Sequence, residues 1–167
     1  MGQVSGLSDC YDMGTKIRAA TELDLAAFRY VGFATWPATY EPFAGAEYVV
    51  ENLDRWWSRE ALLPSIAAND CLVATHRNDV VGVSEVGVLG DDIVLWKLYV
   101  LPQWQGQGVG KQLLQAVVRL AEERNRPLVT EYVAANALAG AFYASQGFKA
   151  ESVPANPMDS IWMRLRA

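Results

Sequence analysis

The chain has 167 residues, enough for one hydrophobic core but short for two. It is 51% hydrophobic and 20% charged, the balance of a globular protein rather than a disordered one. A net charge of −5 and a pI of about 4.9 argue against a nucleic-acid surface, which needs a basic stripe, and suit a cationic substrate. Cys10 and Cys71 make neither a disulfide framework nor a metal-ligand spacing, so a reducing cytoplasm and a site without metal are expected. No apolar run approaches the ~18 residues of a membrane span. The first residues lack the basic-then-apolar order of a secretory signal.

Residues 1–15 read as a small, polar, flexible tail ahead of one domain over 16–167. Residues 16–20 are a candidate strand. Thr21 then caps a helix, with Asp24 in a capping-box position. That helix carries Leu25, Phe28 and Val31, and the Trp36-Pro37 step is expected to end it. A second helix is expected from residues 44–46, with Val49, Leu53, Trp56 and Trp57 as its apolar stripe; Leu62-Leu63-Pro64 either continues it or breaks it. Three strands follow at 71–76, 80–89 and 93–101, joined by Arg77-Asn78-Asp79 and Gly90-Asp91-Asp92, in an antiparallel meander. Residues 108–124 form an amphipathic helix with Val109, Leu113, Val117 and Ala121 on one face. A strand at 128–133, a helix at 136–145 ended by Gly147, and strands at 148–153 and 161–165 complete the order. The sum is a mixed α/β, or α+β, sandwich of three layers.

The segment from Leu98 to Lys111 carries the chemistry. A strand ends, Gly106, Gly108 and Gly110 follow, and a helix begins at once. Glycines let a ligand approach the backbone. The first amides of a helix have no internal partner and sit at the positive end of its dipole, so this turn can hold phosphate oxygens. It is not a P-loop, because Gln105 stands at the first Gly position and Gln112 at the Ser/Thr position. It is not the dinucleotide fingerprint, because Lys111 replaces the third Gly and a meander precedes it.

Gln105-Gly-Gln-Gly-Val-Gly110 resembles the Q/R-x-x-G-x-G/A signature of the GCN5-related N-acetyltransferase (GNAT) family. The flanking Leu98-Tyr-Val-Leu-Pro and Gly110-Lys-Gln-Leu-Leu are similar to it too. Farther on, Asn136, Ala139, Phe142-Tyr143 and Gly147-Phe148 resemble the family's second element in the expected order. The resemblance covers roughly residues 16–166. It implies a three-layer fold with a mixed central sheet of about seven strands and about four helices. It implies acetyl-CoA as co-substrate, with no metal, and direct transfer of the acetyl group to a primary amine, from a small molecule or a peptide or protein, in a ternary complex.

By the same resemblance, the pantetheine arm lies where the strands ending near Val100 and Val133 splay apart. Leu98, Tyr99 and Val100 line it with backbone groups, and one of those amides polarises the acetyl carbonyl. The amides of Gln105, Gly106, Gln107, Gly108, Val109, Gly110 and Lys111 hold the pyrophosphate. Asn136 touches the pantetheine, caps its helix, or does both. Tyr143 is implied as the acid for the leaving thiolate, against the alternative of a core aromatic. Three routes are open for the base: Glu131, Glu85, which interrupts an apolar strand, or ordered water. The acceptor groove is expected around Phe33, Trp36, Tyr40, Trp57 and the loop 154–159, and His76 reads as structural. Dimers are common in such a family; neither nucleic acid nor membrane is an expected partner. A non-catalytic acyl-CoA sensor, or transfer of a longer acyl chain or to a hydroxyl, stands as the alternative.

Overall fold

The computed structural model describes residues 14–151 and 159–165. Its strands are β1 (Thr15–Ala19), β2 (Cys71–His76), β3 (Asp79–Leu89), β4 (Asp92–Val100), β5 (Leu128–Val133), β6 (Phe148–Ala150) and β7 (Ser160–Leu165). They form one sheet in the order β1-β2-β3-β4-β5-β7-β6. Only β4 and β5 run parallel; each other neighbouring pair is antiparallel. The helices are α1 (Leu25–Trp56) and α2 (Arg59–Ala67), packed on one face, and α3 (Val109–Glu123) and α4 (Ala137–Ser145), packed on the other. This is the expected mixed sheet of seven strands with four helices. Residues 1–13 of the expected tail lie outside the described residues, and β1 begins at Thr15.

Burial on both faces explains the apolar runs. In β2, Leu72 and Ala74 join the core under α3, while Cys71 and Val73 join the core under α1. A strand covered on both faces cannot alternate apolar with polar. The α3 stripe of Val109, Leu113, Val117 and Ala121 is buried as its spacing predicts. On the other face Phe28, Val31, Trp36, Leu53 and Trp57 enclose the second core.

The first helix departs from expectation. It does not end at Trp36-Pro37 but runs through Pro37 and Pro42 to a kink at Gly45 (φ 85°, ψ 164°). Beyond the proline the half-buried Tyr40 packs on Trp36, with ring centres 4.3 Å apart, and extends the inner face by another turn. Thr35 and Thr39 donate hydroxyl bonds one turn back, to the carbonyls of Val31 (2.7 Å) and Thr35 (2.9 Å). Gly32 is fixed by packing, because a Cβ there would enter the Trp57 ring. The helix breaks at Trp57, and α2 starts afresh with Ser58 accepting from the Ala61 amide at 3.1 Å, so Pro64 lies inside a separate helix.

The feature that shapes the site is a bulge. Glu85 pairs with Lys97 but Val86 pairs with Leu95, so Trp96 has no partner on β3. One extra residue inverts the alternation of side chains and bends the strand. Ile93 and Leu95 face α3 before the bulge, and Leu98 and Val100 face it afterwards. The parallel ladder between β4 and β5 covers only Ile93–Leu128, Val94–Val129 and Leu95–Thr130. Beyond it β5 stays paired with β7, β4 stays paired with β3, and the two diverge. The strand expected over 148–153 is shorter, Phe148–Ala150; residues 152–158 lie outside the described residues.

Candidate active site

The gap between β4 and β5 opens toward the Gly-rich turn. A 3-10 turn, Pro102–Trp104, leads into it. The Gln105 side chain donates to the Val100 carbonyl (2.9 Å), and that of Gln107 to the Gln103 carbonyl (2.8 Å). These bonds tie the turn to the end of β4. Gly106 (φ 73°) and Gly108 (φ 84°) take left-handed conformations that other residues adopt only with strain. Gly108 is the N-cap of α3, and no side chain caps the helix. The opening amides of α3 are therefore unspent, at the positive end of its dipole. Gly110 is different: a Cβ there would make ordinary contacts with Val100 (3.8 Å) and Phe142 (3.9 Å).

Across the gap, α4 supplies Asn136 and Tyr143. Asn136 caps the helix, its Oδ1 accepting from the Ala139 amide at 3.2 Å. Tyr143 is 8% exposed and packs against Phe142 and Phe148. Burial pushes its hydroxyl up to about 12, with a hydrogen bond to Thr130 offsetting part of the rise. It is a neutral donor at any physiological pH. Thr130 itself donates to the Leu95 carbonyl at 3.0 Å, at the last rung of the parallel ladder.

A cavity of about 720 Å³ opens between α1, α2 and the splayed strands. Its walls include Trp36, Tyr40, Tyr48, Trp56, Trp96 and Tyr99. The Tyr40 and Tyr99 hydroxyls are 2.9 Å apart. Burial raises the pKa of both, which keeps them protonated, and desolvation followed by the nearby Glu131 carboxylate raises that of Tyr48. The carboxylates on the wall are Asp70, Glu85 and Glu131. Asp70 is ion-paired with Arg124 at 2.7 Å. Glu85 is ion-paired with Lys97, whose ammonium also lies 5.3 Å from the Trp57 ring centre. Among the described residues no cation and no hydrogen-bond donor holds Glu131.

Several expected residues are thus relocated. Trp36 and Tyr40 line the cavity, but Phe33 does not: it flanks a separate depression with Pro37, Val49 and Leu53, beside Arg29. Trp57 is fully buried core rather than groove. Glu85 interrupts its apolar strand because Lys97 waits opposite it. Tyr99, expected only as backbone beside the cofactor, contributes its side chain to the cavity. His76 packs on Trp104, with ring centres 4.5 Å apart, as a structural residue would. Of the loop expected at 154–159, all but Asp159 lies outside the described residues. Tyr48, Trp56 and Trp96 were not foreseen. The only signal for them was the abundance of Trp and Tyr, which says nothing about position.

A helix start with the geometry for an anion, a strand gap beside it and a cavity lined by both splayed strands make a layout suited to a two-substrate transferase with a nucleotide-bearing donor. Comparison with known proteins agrees. Residues 67–150 match the model of the acetyltransferase (GNAT) domain. A spermidine N(1)-acetyltransferase of Thermoplasma acidophilum is 25% identical over 146 residues, covering 83% of this chain and 91% of that protein. The crystal structure of PaiA N-acetyltransferase from Thermoplasma acidophilum in complex with coenzyme A superposes with a TM-score of 0.85 at 22% identity, covering 93% of this chain and all of that one (100%). The ribosomal-protein-S18-alanine N-acetyltransferase of Escherichia coli shares the fold at a TM-score of 0.62 and 23% identity, over 91% of this chain and 93% of that one. The chain belongs to the GNAT acetyltransferase family, and it is an N-acetyltransferase.

Proposed function

We propose that acetyl-CoA lies in the gap between β4 and β5 and that its acetyl group passes directly to a primary amine held in the aromatic cavity. The observation that carries this reading is the end of the parallel ladder at Leu95–Thr130, beside a helix start with unspent amides and a cavity with one carboxylate unpaired among the described residues. The amides from Gln105 to Lys111 bind the pyrophosphate. Backbone groups of Leu98, Tyr99 and Val100 face the pantetheine, and Asn136, whose Oδ1 is used as a cap, offers its side-chain NH2 to it. An amide of β4 past the bulge polarises the acetyl carbonyl.

The amine arrives as an ammonium and must lose a proton before it attacks. Glu131 is the base, acting directly or through a water, because Asp70 and Glu85 are already committed to Arg124 and Lys97. The attack breaks the thioester and releases a thiolate with a reference pKa of about 8.5. Tyr143, at about 12, gives up a whole proton to such a thiolate only uphill, by about 5 kcal/mol. It therefore acts first as a hydrogen-bond donor to the departing sulfur, and proton transfer completes as the amine loses its own. The substrate in the relative's name puts a polyamine among the acceptors to assay.

The test is release of free thiol from acetyl-CoA with a panel of amines. Tyr143→Phe should lower kcat by about a hundredfold or more while coenzyme A still binds. An unchanged kcat removes Tyr143 from the mechanism.

A further inference from the structure

The charges on the cavity wall are more specific than its shape. Of its three carboxylates, Asp70 is met by Arg124 and Glu85 by Lys97. Lys97 is itself a wall residue, 8% exposed, locked between Glu85 and the face of Trp57. Glu131 alone is left with charge to offer among the described residues. Aromatic side chains, Tyr132 among them, make half of the uncharged wall, and Asn52, Ser65 and Ser160 are its uncharged polar residues beside the tyrosines.

A linear polyamine fits this wall poorly. Each of its ammonium groups must leave water, and a buried charge is tolerated only when a counter-charge meets it. One ammonium has Glu131. A second would have to be met by Asp70 or Glu85, and both carboxylates are already paired, Glu85 by Lys97, so no counter-charge is left for it. An apolar or aromatic body has the reverse balance there. It loses little on leaving water and gains contact with the aromatic side chains of the wall.

We infer that the preferred acceptor is a primary amine with a single positive charge on an apolar, aromatic-sized body, and that Lys97 is the residue that discriminates against a second charge. This departs from the substrate named for the Thermoplasma relative, and it rests on the N-acetyltransferase reading of the site. No new chemistry is involved: the C–N bond forms and the C–S bond breaks, and of the two protons the ammonium loses, one passes through Glu131 to water and the other balances the one gained by the thiol.

Wild-type enzyme with saturating acetyl-CoA decides the matter through a matched set of acceptors: hexylamine, 1,6-diaminohexane, 2-phenylethylamine and spermidine. Hexylamine and its diamine share a chain and differ by one ammonium. The expected result is a kcat/KM for hexylamine at least tenfold above the diamine, with 2-phenylethylamine at or above hexylamine and spermidine lowest. A diamine or spermidine equal to or better than the monoamines overturns the inference while leaving acetyl transfer intact. Failure of every amine, with no thiol released, overturns the transfer reading and this inference together. Lys97→Met gives a second readout, since it leaves Glu85 uncompensated. The ratio of diamine to monoamine kcat/KM should rise at least fivefold in that variant. A folded, active variant with an unchanged ratio removes Lys97 as the discriminating residue.

Discussion

Asp24 shows how much one side chain organises here. Arg18 forks onto both of its oxygens, at 2.7 and 2.8 Å, and the amide and hydroxyl of Thr21 add 2.8 and 3.0 Å contacts. These donors hold the carboxyl at about 2, with the Arg18 hydrogen bonds the largest cause, against 3.8 in an ordinary aspartate. They pin the end of β1 to the start of α1. A carboxyl depressed in the folded state stabilises the protein fully above its unfolded pKa and loses that contribution as pH falls toward the folded value. Arg18 is half exposed, so water screens part of the pair and the contribution is about 1–2 kcal/mol at pH 7 rather than the full shift. Asp24→Asn should show that loss in urea denaturation at pH 7, and the difference from wild type should shrink steadily between about pH 4 and pH 2. A difference constant across that range would mean that the residue works through packing and not through its charge.

At the scale of elements, the two glycines of the turn and the one inside α3 separate folding from binding. Gly108 sits at φ 84°, so Gly108→Ala places an ordinary residue in left-handed backbone and should cost about 1–2 kcal/mol, besides weakening coenzyme A binding. Gly110 lies in ordinary helix with room for a methyl group. Gly110→Ala should therefore be neutral or stabilising by up to about 1 kcal/mol, yet still weaken coenzyme A if the pyrophosphate approaches the backbone at that point. Thermal melts and a coenzyme A titration of both variants give the answer. Wild-type affinity in Gly110→Ala would place the pyrophosphate elsewhere on the turn. The turn itself was legible in the sequence, because its signals are local: a strand, three glycines and an amphipathic run. So were the meander and the cap at Asn136. The bulge at Trp96 was not, since a bulge is a mismatch between two strands and exists only in their pairing. The path of α1 through Pro37 was hidden for a similar reason, as burial of Trp36 by distant residues outweighed a local stop signal. Glu85 read as a functional oddity until its partner Lys97 appeared twelve residues away.

The molecule as a whole is two sheet segments joined at a narrow junction. β1 to β4 form one and β5, β7 and β6 the other, with three parallel rungs between them. Arg164 reinforces the closed end: from β7 it holds Asp92 at the start of β4 with contacts at 2.7 and 2.8 Å, and Glu151 just past β6 at 2.5 Å. Past Leu95 and Thr130 no strand pairing among the described residues spans the gap, and that is where the proposed cofactor lies. A ligand that hydrogen-bonds β4 on one side and reaches Asn136 after β5 on the other replaces missing rungs. It should thus act as a structural element as well as a reactant. Binding to the folded state alone stabilises by about 2.7 kcal/mol when the ligand is at a hundred times its Kd. For a chain of this size that corresponds to a rise in Tm of roughly 5–10 °C. The rise should be accompanied by slower amide exchange in β5 and in the second half of β4, and not in β1 or β2, which lie far from the gap. Free coenzyme A should produce most of the effect, because the contacts invoked are to pyrophosphate and pantetheine rather than to the acetyl group. A Tm unmoved by saturating coenzyme A, or protection spread evenly over the sheet, would show that the splay between β4 and β5 is not where the cofactor binds.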